Sequence, residues 1–536
     1  MQAKTNFPWV IMVLALICNV WTIASSTVDL PYADDYGVLL NFVSDVKEHG
    51  FSWAHLWSQQ SEHRPVFGRS ITLAAYYGAG RMNFSLLTML GNFFWAICVF
   101  VLARHAFRRS NGNAWITLAV VLLLLVPTHH ENALWGISGL AFYGLTAFCL
   151  ACFALMAEQR IAAGLAASTL AVLTSAGGFL VFPVVCGDLT LHREWKRLFI
   201  FALGGLVLAV IFFSGHHAIN SPPNSSHIRN APTLVLYTLC FLGGAFPSKA
   251  LAILAGSILA PILLFIIWRA RKDRFLAMLA AFLLTTAAAA AWSRSGMGVE
   301  QALDSRYSIF SLIALSCVLM AATTAGLPER RISPPMIVGA GIAVAVFLTL
   351  QIIQSNRWTL QRVKILTDFY LVINRTKWNG HLAPYLDRAK RVGIYDGWTA
   401  AAATSRLQPT KYTETKTTEV ALRGYTDVFE GAYLLGWAHL PGRDVAKAQM
   451  HIIAENDTGS WKMPVWRYDR QDLDPTFNDG GHYMKSGFQI ALADFALPAG
   501  RYRLHVLVEE NGFQGKLAIT SPYVVAPPPI IVTPSS

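Results

Sequence analysis

The chain has 536 residues, of which 54% are hydrophobic and only 14% charged, with a mean hydropathy of +0.42. Soluble domains carry about 25% charged residues, so this balance excludes an ordinary soluble protein and indicates a chain that crosses a membrane many times. The formal net charge of +12 does not indicate a nucleic-acid partner, because Lys and Arg gather at the ends of apolar runs, where loops on the inner side of a membrane hold them.

Pro8 to Ser25 make the first apolar helix, preceded by Lys4. Its length exceeds the apolar run of about 7–15 residues found in secretory signals, so a retained first span is expected; Ala24-Ser25-Ser26 supports a cleaved signal as the competing reading. The loop from Ser26 to Arg69 carries Asp34-Asp35 and then the polar knot Glu62-His63-Arg64-Pro65. Apolar and aromatic spacing predicts two surface helices in it, Tyr36 to His49 and Trp53 to Gln60, lying along the membrane face. Apolar segments follow at 71–107, 114–127, 134–157, 161–175, 176–191, 198–214, 249–268, 275–292, 306–326 and 334–354, several shorter than the roughly 20 residues a span requires. The stretch 231–247, broken by Gly243-Gly244 and Pro247, reads as a partial helix. The expected fold is an α-helical polytopic membrane domain of about eleven spans over residues 1–354, followed by an amphipathic helical linker (355–411) in which one polar helix opens at Asn356-Arg357-Trp358 and runs to about Arg391, an all-β sandwich domain (412–526) and a Pro-rich tail (527–536).

Arg104/Arg108/Arg109, Arg160, Arg193/Lys196/Arg197, Arg269/Arg271/Lys272/Arg274 and Arg330/Arg331 fall on one side if 231–247 does not cross. That side is read as the cytoplasm and includes the N-terminus. The Asp34-Asp35 loop and the C-terminal β-domain then face outward; the expected location is a bacterial inner membrane, with the β-domain in the periplasm.

The outward loops collect ionisable residues that hydropathy does not require: Asp34, Asp35, Glu62, His63, Arg64, His129, His130, Glu131, Asn132, His216, His217, Arg294, Arg306 and Tyr307. Such groups are costly near hydrocarbon and mark paths or sites. Two neighbouring carboxylates repel, which raises one pKa and suits a general base; the competing reading makes Asp34 a helix N-cap. His63 and Arg64 suit phosphate, as do Arg294 and Arg306, which run against the positive-inside trend; snorkelling at the interface is the bland alternative. Glu62, Glu131, Asn132 and Tyr307 are candidate hydrogen-bonding groups for substrate. The adjacent His129-His130 lacks the spacing of a helical zinc site, and the seven cysteines lie in or beside apolar runs without a disulfide or zinc pattern. No metal ligand is assigned; a divalent ion can assist a phosphate but the sequence does not require one. A P-loop, a dinucleotide fingerprint and a nucleophile elbow are all missing, which argues against a soluble nucleotide-sugar enzyme.

The first helix, the outward Asp34-Asp35 loop with surface helices, the Glu62-His63-Arg64-Pro65 knot, the many further spans and the C-terminal β-domain together resemble the GT-C superfamily of membrane glycosyltransferases. The segments Glu131-Asn132-Ala133-Leu134-Trp135-Gly136 and Ser305-Arg306-Tyr307 are similar to those of bacterial members, and the Gly436-Trp437-Ala438 strand resembles their appended β-domains. The resemblance implies a polyprenyl-phosphate-linked sugar donor, an acceptor that is a glycan, lipid or protein, and a catalytic base at Asp34 or Asp35, with the anomeric centre inverted. A polysaccharide polymerase or ligase is a close alternative. A lipid-linked sugar flippase and a non-catalytic assembly protein are more distant ones, the flippase disfavoured by the absence of an internal repeat.

Overall fold

In the computed structural model the described residues are 3–217, 230–246, 248–269, 273–322, 357–375, 379–403, 406–414, 417–430, 432–443, 445, 448–470, 473 and 485–525. Their packing divides into two compact units, Met1–Trp358 with Asp387–Tyr395, and Thr359–Leu386 with Asp396–Ser536. The helical stretch read as a linker is thus shared between the two units. The expected span 334–354, Pro247, Arg271, Lys272, Arg330, Arg331 and the tail after Pro527 lie outside the described residues.

The first unit is helical. Its elements are α1 (Ala3–Ser26), α2 (Asn41–His49), α3 (Trp53–Trp57), α4 (Val66–Ala79), α5 (Phe84–Arg109), α6 (Ala114–Leu124), α7 (His130–Leu134), α8 (Gly136–Ala157), α9 (Ile161–Thr174), α10 (Val181–Leu191), α11 (Trp195–Phe213), α12 (Ala231–Leu242), α13 (Lys249–Arg269), α14 (Arg274–Arg294) and α15 (Ser308–Ala322). Among the described residues eight stretches are long and apolar enough to cross a bilayer: Phe7–Ser26, Phe84–Arg109, Ala114–Leu134, Gly136–Ala157, Trp195–Phe213, Lys249–Arg269, Arg274–Met297 and Ser305–Ala322. Ile161–Thr174, Ala176–Leu191 and Ala231–Leu242 are apolar but shorter.

Three local expectations need correction. The apolar run 71–107 is two helices, because Gly80 ends α4 in the left-handed region (φ 72°) and the Asn83 side chain caps α5 by accepting from the Leu86 N–H at 2.8 Å. The helix from Trp53 stops at Trp57 rather than Gln60. There Arg69 Nη1 donates to the carbonyls of His55, Leu56 and Ser58 (3.3, 3.2 and 2.6 Å), so a cation satisfies the end of the helix in place of another turn. The amphipathic stretch read as one helix to Arg391 is two, α16 (357–373) and α17 (Ala383–Arg391).

Inside a bilayer the helices gain little from hiding apolar surface, so close packing must hold them. Gly91 of α5 and Gly139 of α8 provide it: a Cβ on Gly139 would lie 2.7 Å from the Asn132 carbonyl oxygen and 3.4 Å from the Gly91 Cα. At the far end of these helices ion pairs replace small residues. Arg109 pairs with Asp273 and donates through Nε to the Met320 carbonyl (3.0 Å), while Arg274 pairs with Asp188 and, at 2.6 Å, with Glu194.

Among the described residues the second unit carries most of α16, the short helix α18 (Gly397–Ala403) and ten strands: β1 (Thr410–Lys411), β2 (Thr418–Glu419), β3 (Arg423–Glu430), β4 (Tyr433–His439), β5 (Gln449–Asn456), β6 (Gly459–Pro464), β7 (Trp466–Tyr468), β8 (Gly487–Ala491), β9 (Gly500–Glu510) and β10 (Phe513–Val525). One sheet runs β1-β6-β5-β9-β10-β2 and the other β3-β4-β8-β7. Period-two alternation turns Met450, Ile452 and Ala454, with Leu504, Val506 and Val508, into a core shared with Leu434, Phe488 and Ile490 of the smaller sheet.

Candidate functional site

A cavity of about 540 Å³ opens in the first unit. Its polar wall holds Asp34, Glu62, His63, Arg294 and Arg306, with Gln60, Ser61, Thr174 and Ser175 beside them. Its apolar wall runs down one face of α8 through Ile137, Ala141, Phe142 and Leu145. The spacing i, i+4, i+5, i+8 keeps these side chains in one stripe.

The backbone decides which acid faces this space. Ala33 adopts a left-handed φ of 47°, unusual for a residue with a Cβ, and the chain then enters a π-helical turn, Asp35–Leu40, before α2. Asp34 therefore lines the cavity, while its neighbour turns inward. Asp35 is 1% exposed; its Oδ1 accepts from the Ile137 N–H at 3.0 Å and its Oδ2 from the Tyr32 N–H at 3.1 Å, which ties the loop to the first turn of α8. Burial pushes the Asp35 carboxyl up to about 7 against the pull of those two amides. Burial also raises the Asp34 carboxyl above its ordinary value, with Arg306 and His63 opposing the rise.

His63 and Arg64 part in the same way. Gln60 and His63 exchange two backbone hydrogen bonds (2.8 and 2.9 Å) around Ser61, whose φ is 50°, and this tight turn lifts Glu62 and His63 into the cavity. The Ala176 N–H donates to His63 Nδ1 at 3.3 Å, so in the neutral ring the proton sits on Nε2. Burial holds the His63 pKa below the usual histidine value, with Glu62 resisting. His63 Nε2 lies 3.5 Å from Glu62 Oε1, the same oxygen to which Arg294 Nη2 donates at 2.6 Å. Burial alone would raise the Glu62 carboxyl, but His63 and Arg294 outweigh it and hold the group below its ordinary value.

Arg64 does not line the cavity. It is 5% exposed, and its Nε, Nη1 and Nη2 donate to the carbonyls of Phe212 (2.8 Å), Trp57 (2.6 Å) and Ser214 (2.9 Å). Two of these acceptors lie at the C-terminal end of α11, where unsatisfied carbonyls attract a cation.

Arg306 is held from several sides. Its Nη2 donates to Asp304 Oδ2 at 2.7 Å, its carbonyl accepts from Asn132 Nδ2 at 2.8 Å, and its guanidinium carbon sits 5.3 Å from the Tyr307 ring centre. Asn132 is fully buried, accepts from Ser138 Oγ at 2.6 Å and lies behind the cavity wall. Glu131 also lies behind it, its N–H donating to Ser305 Oγ at 3.1 Å. Tyr307 lines the cavity, and its hydroxyl accepts from Gln301 Nε2 at 3.1 Å. The structure thus brings Asp34, Glu62, His63, Arg294, Arg306 and Tyr307 together, and sets Asp35, Arg64, Glu131 and Asn132 behind or beside them. His129 is buried against the Tyr143 hydroxyl at 2.5 Å, and His216 and His217 meet Gln59.

Sequence reading missed Asp304 and Gln301, which steady Arg306 and Tyr307; an acid two residues before an arginine was the available signal. Thr174 and Ser175, at the end of the apolar segment 161–175, also reach the cavity. Among the described residues no three His, Cys, Asp or Glu side chains converge as a metal site, so no step through a metal is derived.

No family model and no curated protein matches this chain. Two solved structures are similar to it in part. ArnT from Cupriavidus metallidurans in the apo state aligns at 17% identity with a TM-score of 0.44, covering 74% of this chain and 76% of that one. The same protein bound to undecaprenyl phosphate aligns at 16% identity with a TM-score of 0.42, covering 74% and 77%. At those values the likeness does not bear on the roles of individual side chains.

Proposed function

We propose that the chain is a membrane glycosyltransferase of the GT-C kind, moving a sugar from a polyprenyl-phosphate donor to a hydroxyl of a glycan, lipid or protein at the outer face of a bacterial inner membrane. The observation that carries this reading is the amphipathic cavity, in which two carboxylates, two guanidiniums and one imidazole N–H share a wall opposite an apolar stripe. A donor with a charged phosphate, a polar sugar and a hydrocarbon tail needs those surfaces side by side.

In this reading the donor phosphate lies against Arg294, Arg306 and the Nε2–H of His63, and Tyr307 and Glu62 bound the sugar. Asp34 takes the proton of the acceptor hydroxyl as that oxygen attacks the anomeric carbon. The bond from that carbon to the phosphate oxygen breaks, the lipid phosphate leaves with the bonding electrons, and the centre inverts. Burial strengthens Asp34 as a base by raising its pKa. The arginines, fixed beforehand by Glu62 and Asp304, stabilise charge growing on the leaving phosphate. Asp35 and Arg64 hold the loop that presents Asp34 and His63.

The test is mass spectrometry of surface glycans, lipids and envelope proteins from cells with wild type, a deletion, or Asp34→Asn at equal membrane level. The expected outcome is a sugar mass lost in the deletion and reduced at least about 100-fold in Asp34→Asn, the scale of a lost general base. A wild-type glycan profile in Asp34→Asn, with the deletion still defective, overturns the assignment and favours transport or assembly.

A further inference from the structure

A second cavity, of about 460 Å³, lies in the same unit, its charged wall made by Arg104, Arg108, Arg109, Glu158, Asp273 and Arg274. It stands at the opposite end of the helices from the candidate active site. α14 begins beside it at Arg274 and reaches the first cavity at Arg294, a rise of about 30 Å, the thickness of the hydrocarbon core. We propose that this second cavity binds the phosphodiester headgroup of an anionic phospholipid.

The charges in it are of two kinds. Arg109 and Arg274 are committed to Asp273, Asp188 and Glu194, and brace the helix ends. Arg104 and Arg108 are not: both are exposed, they sit one turn apart on α5, and among the described residues the Arg108 side chain takes no hydrogen bond or ion pair. Arg104 reaches Glu158 at 4.0 Å, beyond hydrogen-bond length, and Glu158 is shared with Arg160 at 3.6 Å. Two like charges one turn apart repel, and an anion between them removes that cost while using donors that the protein leaves open.

The setting selects a lipid over a dissolved anion. Apolar Val101, Ala154, Ala157 and Phe275 line the cavity beside the arginines, so phosphate and glycerol ester can both find a surface. Trp195 and Trp268, 59% and 62% exposed, stand at the start of α11 and the end of α13, the ends that lead to this region, and exposed Trp marks headgroup depth. Basic pockets between spans at that depth suit acidic headgroups.

The experiment uses the full chain in detergent, titrated with dioleoylphosphatidylglycerol, dioleoylphosphatidylcholine or sn-glycerol 3-phosphate, with bound lipid counted by native mass spectrometry and the thermal midpoint recorded. The expected result is saturable binding of phosphatidylglycerol with a raised midpoint, no such effect from the other two, and affinity at least about tenfold weaker in Arg104→Gln/Arg108→Gln. The control pair Arg193→Gln/Lys196→Gln, also exposed, keeps wild-type affinity. Wild-type binding by the Arg104/Arg108 pair, or equal loss in the control pair, overturns the site. A saturable shift from glycerol phosphate overturns the lipid assignment. Should the double variant fail to purify, Arg108→Gln alone repeats the test with the same weakening expected and the same results overturning it.

Discussion

Asp34 and Asp35 have the same side chain and adjacent positions, yet the fold gives them opposite surroundings. Asp34 opens to the cavity, and Asp35 spends both oxygens on backbone amides. In Asp35→Asn one of those amides would face an NH₂ group instead of an acceptor, leaving a buried donor unpaired at about 1–3 kcal/mol. The expected outcome is a clearly lower thermal midpoint in Asp35→Asn and a midpoint close to wild type in Asp34→Asn, measured on purified protein. The pH dependence has a defined sign. Because the folded Asp35 carboxyl titrates near 7 and its unfolded counterpart near 3.8, the folded state holds an extra proton between those values. The stability this group contributes is full below the lower value and is lost as pH rises toward 7, a fall that Asp35→Asn removes. The sequence alone pointed to the acidic pair and to the His63-Arg64 pair but could not choose within either. The choice depends on a left-handed Ala33, a π-helical turn and a turn at Ser61, none of which has a residue signature.

At the scale of elements, run length and hydropathy made most spans legible, because a bilayer demands long apolar stretches. Gly80 and Asn83 carried the break inside 71–107, but in an apolar run their cap chemistry is easy to overlook. Least legible were the pieces that shape the cavity: the short helix α7, the 3₁₀ turns around Arg306, and the close approach of α5 to α8. That approach has a consequence for the site. A methyl on Gly139 would press on the Asn132 carbonyl, and the Asn132 side chain holds the Arg306 backbone. Gly139→Ala is expected to cost about 1–3 kcal/mol of stability through overpacking, seen as a lower midpoint. It should also reduce sugar transfer in membranes adjusted to equal protein. Unchanged stability would mean that α7 yields without resistance and that the packing does not position Arg306.

At the scale of the first unit, α14 joins two chemically different ends. One end gathers Asp34, His63, Arg294 and Arg306 around a cavity, and the other gathers Arg104, Arg108, Arg109 and Arg274. If the about 30 Å between them is filled by hydrocarbon, the cation-rich end belongs on the cytoplasmic side and the acidic loop outside. Single-cysteine labelling tests this directly. Ser61, exposed at the mouth of the first cavity, and Lys196, exposed on the first turn of α11, are each replaced by Cys in spheroplasts and treated with a membrane-impermeant maleimide. Labelling is counted above that of the unsubstituted chain, whose Cys18 is exposed along the first span. Ser61→Cys is expected to react in intact spheroplasts and Lys196→Cys only after lysis. The reverse pattern would put the cavity in the cytoplasm, where dissolved nucleotide sugars compete with lipid-linked donors, and the donor assignment would lose its rationale. Equal labelling of both sites before lysis would show that hydrocarbon does not separate the two ends, which the charge asymmetry requires.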